Sequence, residues 1–325
     1  MPAEARPGPL VALYGPTSSG KTGLSVKAAL RVERELGRPV VVISADSRQV
    51  YRYMDIGTSK TTAAEMRGIE HALIDVTEPS RKLELEDYVA LARERIAAAA
   101  QAGALPFVVG GTGVYVSALT EGWEVGGAGT VRASLRRDFP PSMAADAHAM
   151  LRRLDRAAAA RVHPSNYEAV LNALAAVMAG GEARRSAPES RVLVLGLDPG
   201  PRAVEQQVAQ TYDDQVRRGL FGEVTDLAAR YGLDEEARAR GRDSRNQVLH
   251  THGYREFFDL ARRLGKPVAQ LSPAELADVR EAVLDHIRPH TRRQRTWFAK
   301  LPSPRMVTSP DHAFREIARA ISARR

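Results

Sequence analysis

The chain has 325 residues with 47 Lys+Arg against 39 Asp+Glu, a formal charge of +8. It contains no cysteine, which excludes a disulfide framework, Cys-ligated zinc and a thiol nucleophile. No run reaches the ~20 apolar residues of a membrane span, and Met1 to Gly8 is polar and Pro-containing, so a soluble, cytoplasmic protein is expected.

At ~150 residues per domain the length suits two domains, or one domain with an insertion. The first element is a short apolar strand, Leu10 to Tyr14, followed by Gly15-Pro16-Thr17-Ser18-Ser19-Gly20-Lys21-Thr22 and a helix ending at Gly37. The eight residues fit G-x-x-x-x-G-K-[ST] in the strand–loop–helix context that the pattern requires. Backbone N–H groups close around phosphate oxygens, Lys21 supplies a point charge, and the Thr22 hydroxyl is placed to ligate Mg²⁺. Nucleotides are the usual ligands of such a loop, but any diphosphate with Mg²⁺ satisfies the same chemistry.

A second buried strand, Val40 to Ile43, delivers Ser44-Ala45-Asp46-Ser47-Arg48-Gln49-Val50-Tyr51 to the carboxyl edge of the sheet, where open α/β folds place ligands. Asp46 is set either to act there or to cap the turn that follows. Met54 to Lys60 reads as a polar loop and His71 to Val76 as a short strand. Leu85 to Ala102 reads as a helix, and Leu105 to Val109 as a strand that brings Gly110-Gly111-Thr112-Gly113-Val114-Tyr115 to the same edge. This alternation predicts a P-loop NTPase-like α/β core with a parallel sheet.

From Gly122 the composition changes. Gly122 to Thr130 reads as a Gly-rich linker, and Val131 to Gly181 as a helical stretch carrying Arg132, Arg136, Arg137, Arg152, Arg153, Arg156 and Arg161, broken at His163-Pro164. Arg191 to Leu197 is again a buried strand, so residues 122–190 form a helical insertion in a core made of 1–121 and 191–325. C-terminal helices follow over Arg202 to Arg218, Phe221 to Tyr231, Tyr254 to Leu264 and Pro273 to Phe298. Arg288, Arg292, Arg293 and Arg295 concentrate positive charge of the kind that binds a nucleic-acid backbone, although a solvated helix face gives the same pattern.

Five stretches in order, Gly15 to Thr22, Ser44 to Tyr51, Met54 to Lys60, His71 with Leu73-Ile74-Asp75, and Val109 to Tyr115, together resemble the tRNA dimethylallyltransferases. Gly253-Tyr254-Arg255-Glu256 and Arg292-Arg293-Gln294 with Thr296-Trp297-Phe298 resemble that family's C-terminal motifs. The resemblance implies transfer of a dimethylallyl group from dimethylallyl diphosphate to N6 of adenosine 37, in tRNAs reading codons that begin with U. It makes Asp46 the general base, Lys21 a catalytic charge, the loop from Gly15 to Thr22 the diphosphate site, and Thr112 a contact to a target base flipped from the anticodon loop. Ser47, Arg48, Gln49, Gly253, Tyr254, Arg255, Arg292 and Arg293 would meet the tRNA, with the insertion on the anticodon stem-loop. A monomer is expected.

The sequence departs from the family pattern at several positions. Ala169 and Asn172 stand where the insertion would carry two arginines, and Thr211 stands where a diphosphate-touching arginine is expected, leaving Arg217 or Arg218 to substitute. Gln215 replaces a Met, His250 a Gln or Arg, and His252 an Ile. Pro289 is expected to interrupt the C-terminal arginine helix. Two other readings keep the loop: an adenylate isopentenyltransferase or small-molecule kinase, and a weakened paralogue that only binds RNA.

Overall fold

A computed structural model describes residues 9–122, 128–178, 191–240, 243–299, 301 and 304–323. In chain order the elements are β1 (Leu10–Tyr14), α1 (Lys21–Leu36), β2 (Val40–Ser44), α2 (Ala63–Met66), β3 (Glu70–Ala72), α3 (Leu85–Gln101), β4 (Leu105–Gly110) and α4 (Gly113–Thr120). There follow α5 (Ala128–Asp138), α6 (Ala144–Leu154), α7 (Arg156–Ala160), α8 (Tyr167–Met178), β5 (Val192–Gly196), α9 (Pro201–Arg217), α10 (Leu220–Tyr231) and α11 (Leu233–Arg240). The chain closes with α12 (Arg255–Leu264), α13 (Pro273–Phe298), β6 (Arg305–Met306) and α14 (Pro310–Ser322). Two compact units emerge: one of residues 1–83, 92–116 and 189–325, the other of 84–91 and 117–188.

In the first unit six parallel strands are ordered β3-β2-β4-β1-β5-β6. The inner strands are apolar because a parallel sheet is covered on both faces, and β1, β2 and β4 are buried at every position, whereas the edge strands β3 and β6 carry polar, exposed residues. Val11, Leu13, Leu24, Phe107, Leu195, Phe314 and Ile317 form a core that joins the sheet to α1 and α14. A second core, with Tyr51, Met54, Tyr212, Leu227, Tyr254 and Phe257, gathers α9 to α13 around the segment after β2. The strands β2, β4 and β1 end side by side, and Ala45 O accepts the Thr112 N–H at 3.1 Å. Gly110 is needed there: a Cβ on it would lie 2.1 Å from Ala45 O.

The strand expected over His71 to Val76 is shorter than its apolar residues suggest. It stops at Ala72 because Leu73 (φ 63°) and Asp75 (φ 57°) turn into the left-handed region. Asp75 is held in that turn by the buried Lys60, whose ammonium also bonds Asp55 and Tyr51 O. Pro289 does not interrupt α13, which runs through it for 26 residues. Tertiary anchors on both sides of the proline hold the helix: His286 on Glu256, buried Thr291, and Gln294 on the phosphate loop. Beyond the predicted helices, β6 extends the sheet and α14 packs on α1, where Arg31 pairs with Asp311 and covers the Phe314 ring at 4.0 Å.

The second unit has its own core of Leu135, Leu151, Val170, Leu171 and Leu174, with Ala147, Ala158, Ala159 and Ala175. Asp155 caps α7 by accepting the Ala158 N–H at 2.8 Å. The expected break at His163-Pro164 falls between α7 and α8. Of the expected Gly-rich linker, 123–127 lie outside the described residues, as do 179–190.

Candidate active site

The phosphate loop leaves β1 at Gly15 and enters α1 at Lys21, with Ser18 (φ 59°) and Gly20 (φ 85°) left-handed. Lys21 Nζ donates to Pro16 O at 2.7 Å and lies 3.5 Å from Ser19 Oγ. Burial pushes its pKa down to about 8, and the charge of Asp46 pulls it back up. Near neutral pH the ammonium is therefore still charged. Thr22 follows one residue into α1, half-buried beside the loop, a hard oxygen donor of the kind Mg²⁺ accepts.

Asp46 follows β2. Its Oδ1 accepts the N–H groups of Arg48 (2.8 Å) and Gln49 (3.4 Å), so the carboxylate does cap the following turn, and both bonds use one oxygen. The capping and catalytic readings are compatible, because fixing Oδ1 orients Oδ2. Thr112, after β4, accepts the Ser47 N–H at 2.9 Å through Oγ1 and donates to Ser47 Oγ at 3.2 Å. Asp46, Thr112 and the phosphate loop thus occupy three consecutive strand ends of one sheet edge.

The residues after Asp46 brace a polar loop. Gln49 Nε2 donates to Ser59 O at 3.2 Å, and Gln215 Nε2 donates to Gly57 O (3.1 Å) and Ser59 Oγ (2.9 Å). The amide of Gln215, in place of a methionine, therefore fixes that loop. Glu223 accepts the N–H groups of Asp55, Ile56 and Gly57 at 2.7–3.0 Å, and the Tyr254 hydroxyl at 2.7 Å. Arg48 is largely withdrawn from solvent and donates to Gln247 Oε1 at 3.2 Å; burial lowers its pKa.

Tyr254 corrects an expectation. Expected among the tRNA contacts, it is fully buried here and its hydroxyl bonds Glu223, so its side chain shapes the loop. Gly253 (φ 91°) donates to Glu256, and Arg255 Nε donates to the same carboxylate at 3.0 Å. In the arginine cluster, Arg288 pairs with Asp285 and Arg295 with Asp198, while Arg292 and Arg293 are exposed. Thr211 bonds its own helix at Gln207 O, and Arg217 pairs with Asp214. His250 donates its Nε2–H to Ser244 O at 2.7 Å.

Gln294, from the Arg292-Arg293-Gln294 motif, reaches the site. Its Oε1 accepts the Thr17 N–H at 2.9 Å and its Nε2 donates to Gly111 O at 2.8 Å, so α13 is bonded directly to the phosphate loop. The same helix end packs Trp297 over Gly113, where a Cβ would sit 2.2 Å from the indole, and stacks Phe298 on Tyr14 at 4.1 Å. A long-range side-chain bond of this kind has no local sequence signal beyond the motif itself.

Fold and site together define a P-loop α/β protein whose sheet edge sets an anion cradle and its lysine beside an oriented carboxylate. The model of the IPP transferase family matches residues 49–301, and that of the isopentenyl transferases matches residues 8–84. A tRNA dimethylallyltransferase of Picosynechococcus sp. is 33% identical over 310 residues, covering 93% of this chain and 95% of the relative. That of Roseiflexus sp. is 34% identical over 317 residues, covering 94% of each. The crystal structure of the full-length tRNA isopentenylpyrophosphate transferase of Bacillus halodurans superposes with a TM-score of 0.64 at 30% identity, covering 97% of this chain and 96% of that one. The chain belongs to the IPP transferase family.

Proposed function

We propose that this protein transfers the dimethylallyl group of dimethylallyl diphosphate to N6 of adenosine 37 in tRNAs that read codons beginning with U. The observation that carries the reading is the shared sheet edge of Asp46, Thr112 and the Lys21 loop, in a chain whose relatives bear that activity's name. As N6 attacks the allylic carbon, the N6–C bond forms and the C–O bond to diphosphate breaks, the diphosphate leaving with the electron pair. Asp46 takes the proton that N6 loses. Loop N–H groups and Lys21 stabilise the charge that grows on the leaving group. Thr22 would hold a Mg²⁺ ion, which supplies further charge neutralisation at the diphosphate when bound.

Gln294 occupies the Thr17 N–H that a diphosphate oxygen would use, so substrate must displace or share that bond. On the RNA side, exposed Arg292 and Arg293, with Arg48 and Arg255 behind them, suit phosphate contacts, and the arginines of the helical unit suit the anticodon stem. Among the described residues no helix is long and apolar enough to cross a membrane.

The test is incubation with Mg²⁺, labelled dimethylallyl diphosphate and either a tRNA with adenosines at 36 and 37 or free AMP. Label in the tRNA alone is expected, and Asp46→Ala should lower the rate at least ~100-fold with tRNA affinity retained. Label in AMP would transfer the reading to an adenylate isopentenyltransferase. Label in neither, with tRNA still bound, would favour a protein that only binds RNA.

A further inference from the structure

Away from the phosphate loop, the turn before α12 and the middle of α13 bring a second set of donors together. His252 and Glu256 lie four residues apart at the start of α12, and His286 and His290 lie four apart on α13. Nδ1 of His252 and Nδ1 of His286 lie 3.3 and 2.9 Å from one atom, Oε1 of Glu256. The ligand atoms of these three residues are all within 4.8 Å of one another. The His290 ring stands 5.5 Å from that of His252.

The Glu256 side chain is 0% exposed, and a carboxylate in that position demands compensation. Gly253 N–H satisfies Oε2 at 2.9 Å. Oε1 faces three donors, the two imidazoles and Arg255 Nε at 3.0 Å, although a carboxylate oxygen has about two lone pairs. A cation shared between the carboxylate and the Nδ1 lone pairs of the two imidazoles relieves that crowding. With metal–ligand bonds of about 2.0–2.1 Å, ligands of a tetrahedral Zn²⁺ stand about 3.3 Å apart, the separation of His252 Nδ1 from Oε1, and His286 at 2.9 Å would move outward by a few tenths of an ångström.

We infer that His252, Glu256 and His286 form a binding site for a borderline divalent transition metal such as Zn²⁺, with water as fourth ligand. Two imidazoles and one carboxylate are the wrong set for Mg²⁺, which takes oxygen ligands and keeps its waters, and the right set for Zn²⁺. The side chains of His252 and His286 are 23% and 41% exposed, which leaves the metal an entry path. None of the three residues belongs to the phosphate loop or to the strand ends that carry Asp46 and Thr112. A bound ion would clamp the Gly253–Arg255 turn to α13, the helix that also carries Arg292, Arg293 and Gln294.

The test uses the full-length protein, stripped with a chelator and dialysed, then titrated with zinc sulfate against a chromophoric competitor. One equivalent of Zn²⁺ is expected to bind, undisturbed by millimolar Mg²⁺ and weakened at least ~10-fold by either His252→Ile or His286→Ala. At a hundredfold excess over the native Kd, Zn²⁺ should raise the melting temperature by roughly 5 °C in the native protein and by no more than about half of that in His252→Ile. His252→Ile leaves Glu256 paired with Arg255 and His286, so it is expected to fold. Failure of the native protein to compete for Zn²⁺, or equal binding by His252→Ile, overturns the inference.

Discussion

The strand-edge region and the helical unit handle charge in opposite ways. At the strand edge charged groups are drawn inward and multiply bonded: Lys60 is 6% exposed with three oxygen partners, and Glu223 holds three backbone N–H groups and a tyrosine. In the helical unit the core is leucine, valine and alanine, and the arginines stay outside, with Arg132 and Arg136 sharing Glu168. Groups fixed from several sides give the geometric definition that bond-making needs. Arginines on exposed helix faces give a field of the kind that suits a polyanion.

Breaking the strand edge should have the largest consequence. Lys21→Ala is expected to slow prenyl transfer about 1,000-fold in single-turnover assays while tRNA retention on filters changes less than about twofold. A rate within tenfold of the native protein would remove Lys21 from the chemistry. Next comes the apolar core of the helical unit, where Leu171 is completely buried. Leu171→Ala should cost about 3 kcal/mol, with faster hydrogen exchange concentrated in α5 to α8. Exchange that rises equally in the sheet would show that the two units do not unfold separately.

Glu223→Gln should cost about 2 kcal/mol in urea denaturation, because an uncharged amide replaces a carboxylate that accepts four hydrogen bonds. Acid sharpens the comparison further. Arg31 and Arg34 hold Glu35 down to about 2, and Lys266 with Ser272 does the same for Glu275. Both folded pKa values lie below the unfolded value, so this stabilisation is present above about pH 4.5 and disappears as pH falls toward 2. Glu275→Gln should flatten that acid limb, and an unchanged limb would dismiss the contribution. The smallest effect is expected outside: Arg136→Ala should alter stability by less than about 0.5 kcal/mol while reducing the salt slope of tRNA binding by about 1.

Much of the strand edge was legible because its signals are local. The phosphate loop, β1, β2 and β4 are contiguous runs whose burial and loop chemistry repeat at short range, and Asp46 and Thr112 follow from the strand ends. The role of Tyr254 was not legible, since an aromatic beside an arginine reads equally as an RNA contact or a core residue, and burial against Glu223 decides it. Nor was the course of α13: Pro289 read as a breaker, and only the anchors at Glu256, Thr17 and Gly111 carry the helix through.

The sequence alone determined the P-loop core and which side chains stand at its carboxyl edge, because these depend on neighbours within one strand, loop or turn. Tertiary structure decided which distant residues meet them: Gln294 on the Thr17 N–H, Gln215 and Glu223 on the loop around Gly57, and three donors on one oxygen of Glu256. Those contacts join residues separated by up to 277 positions, and hydrogen bonds depend on ångström-scale distance and direction that only the packed helices impose.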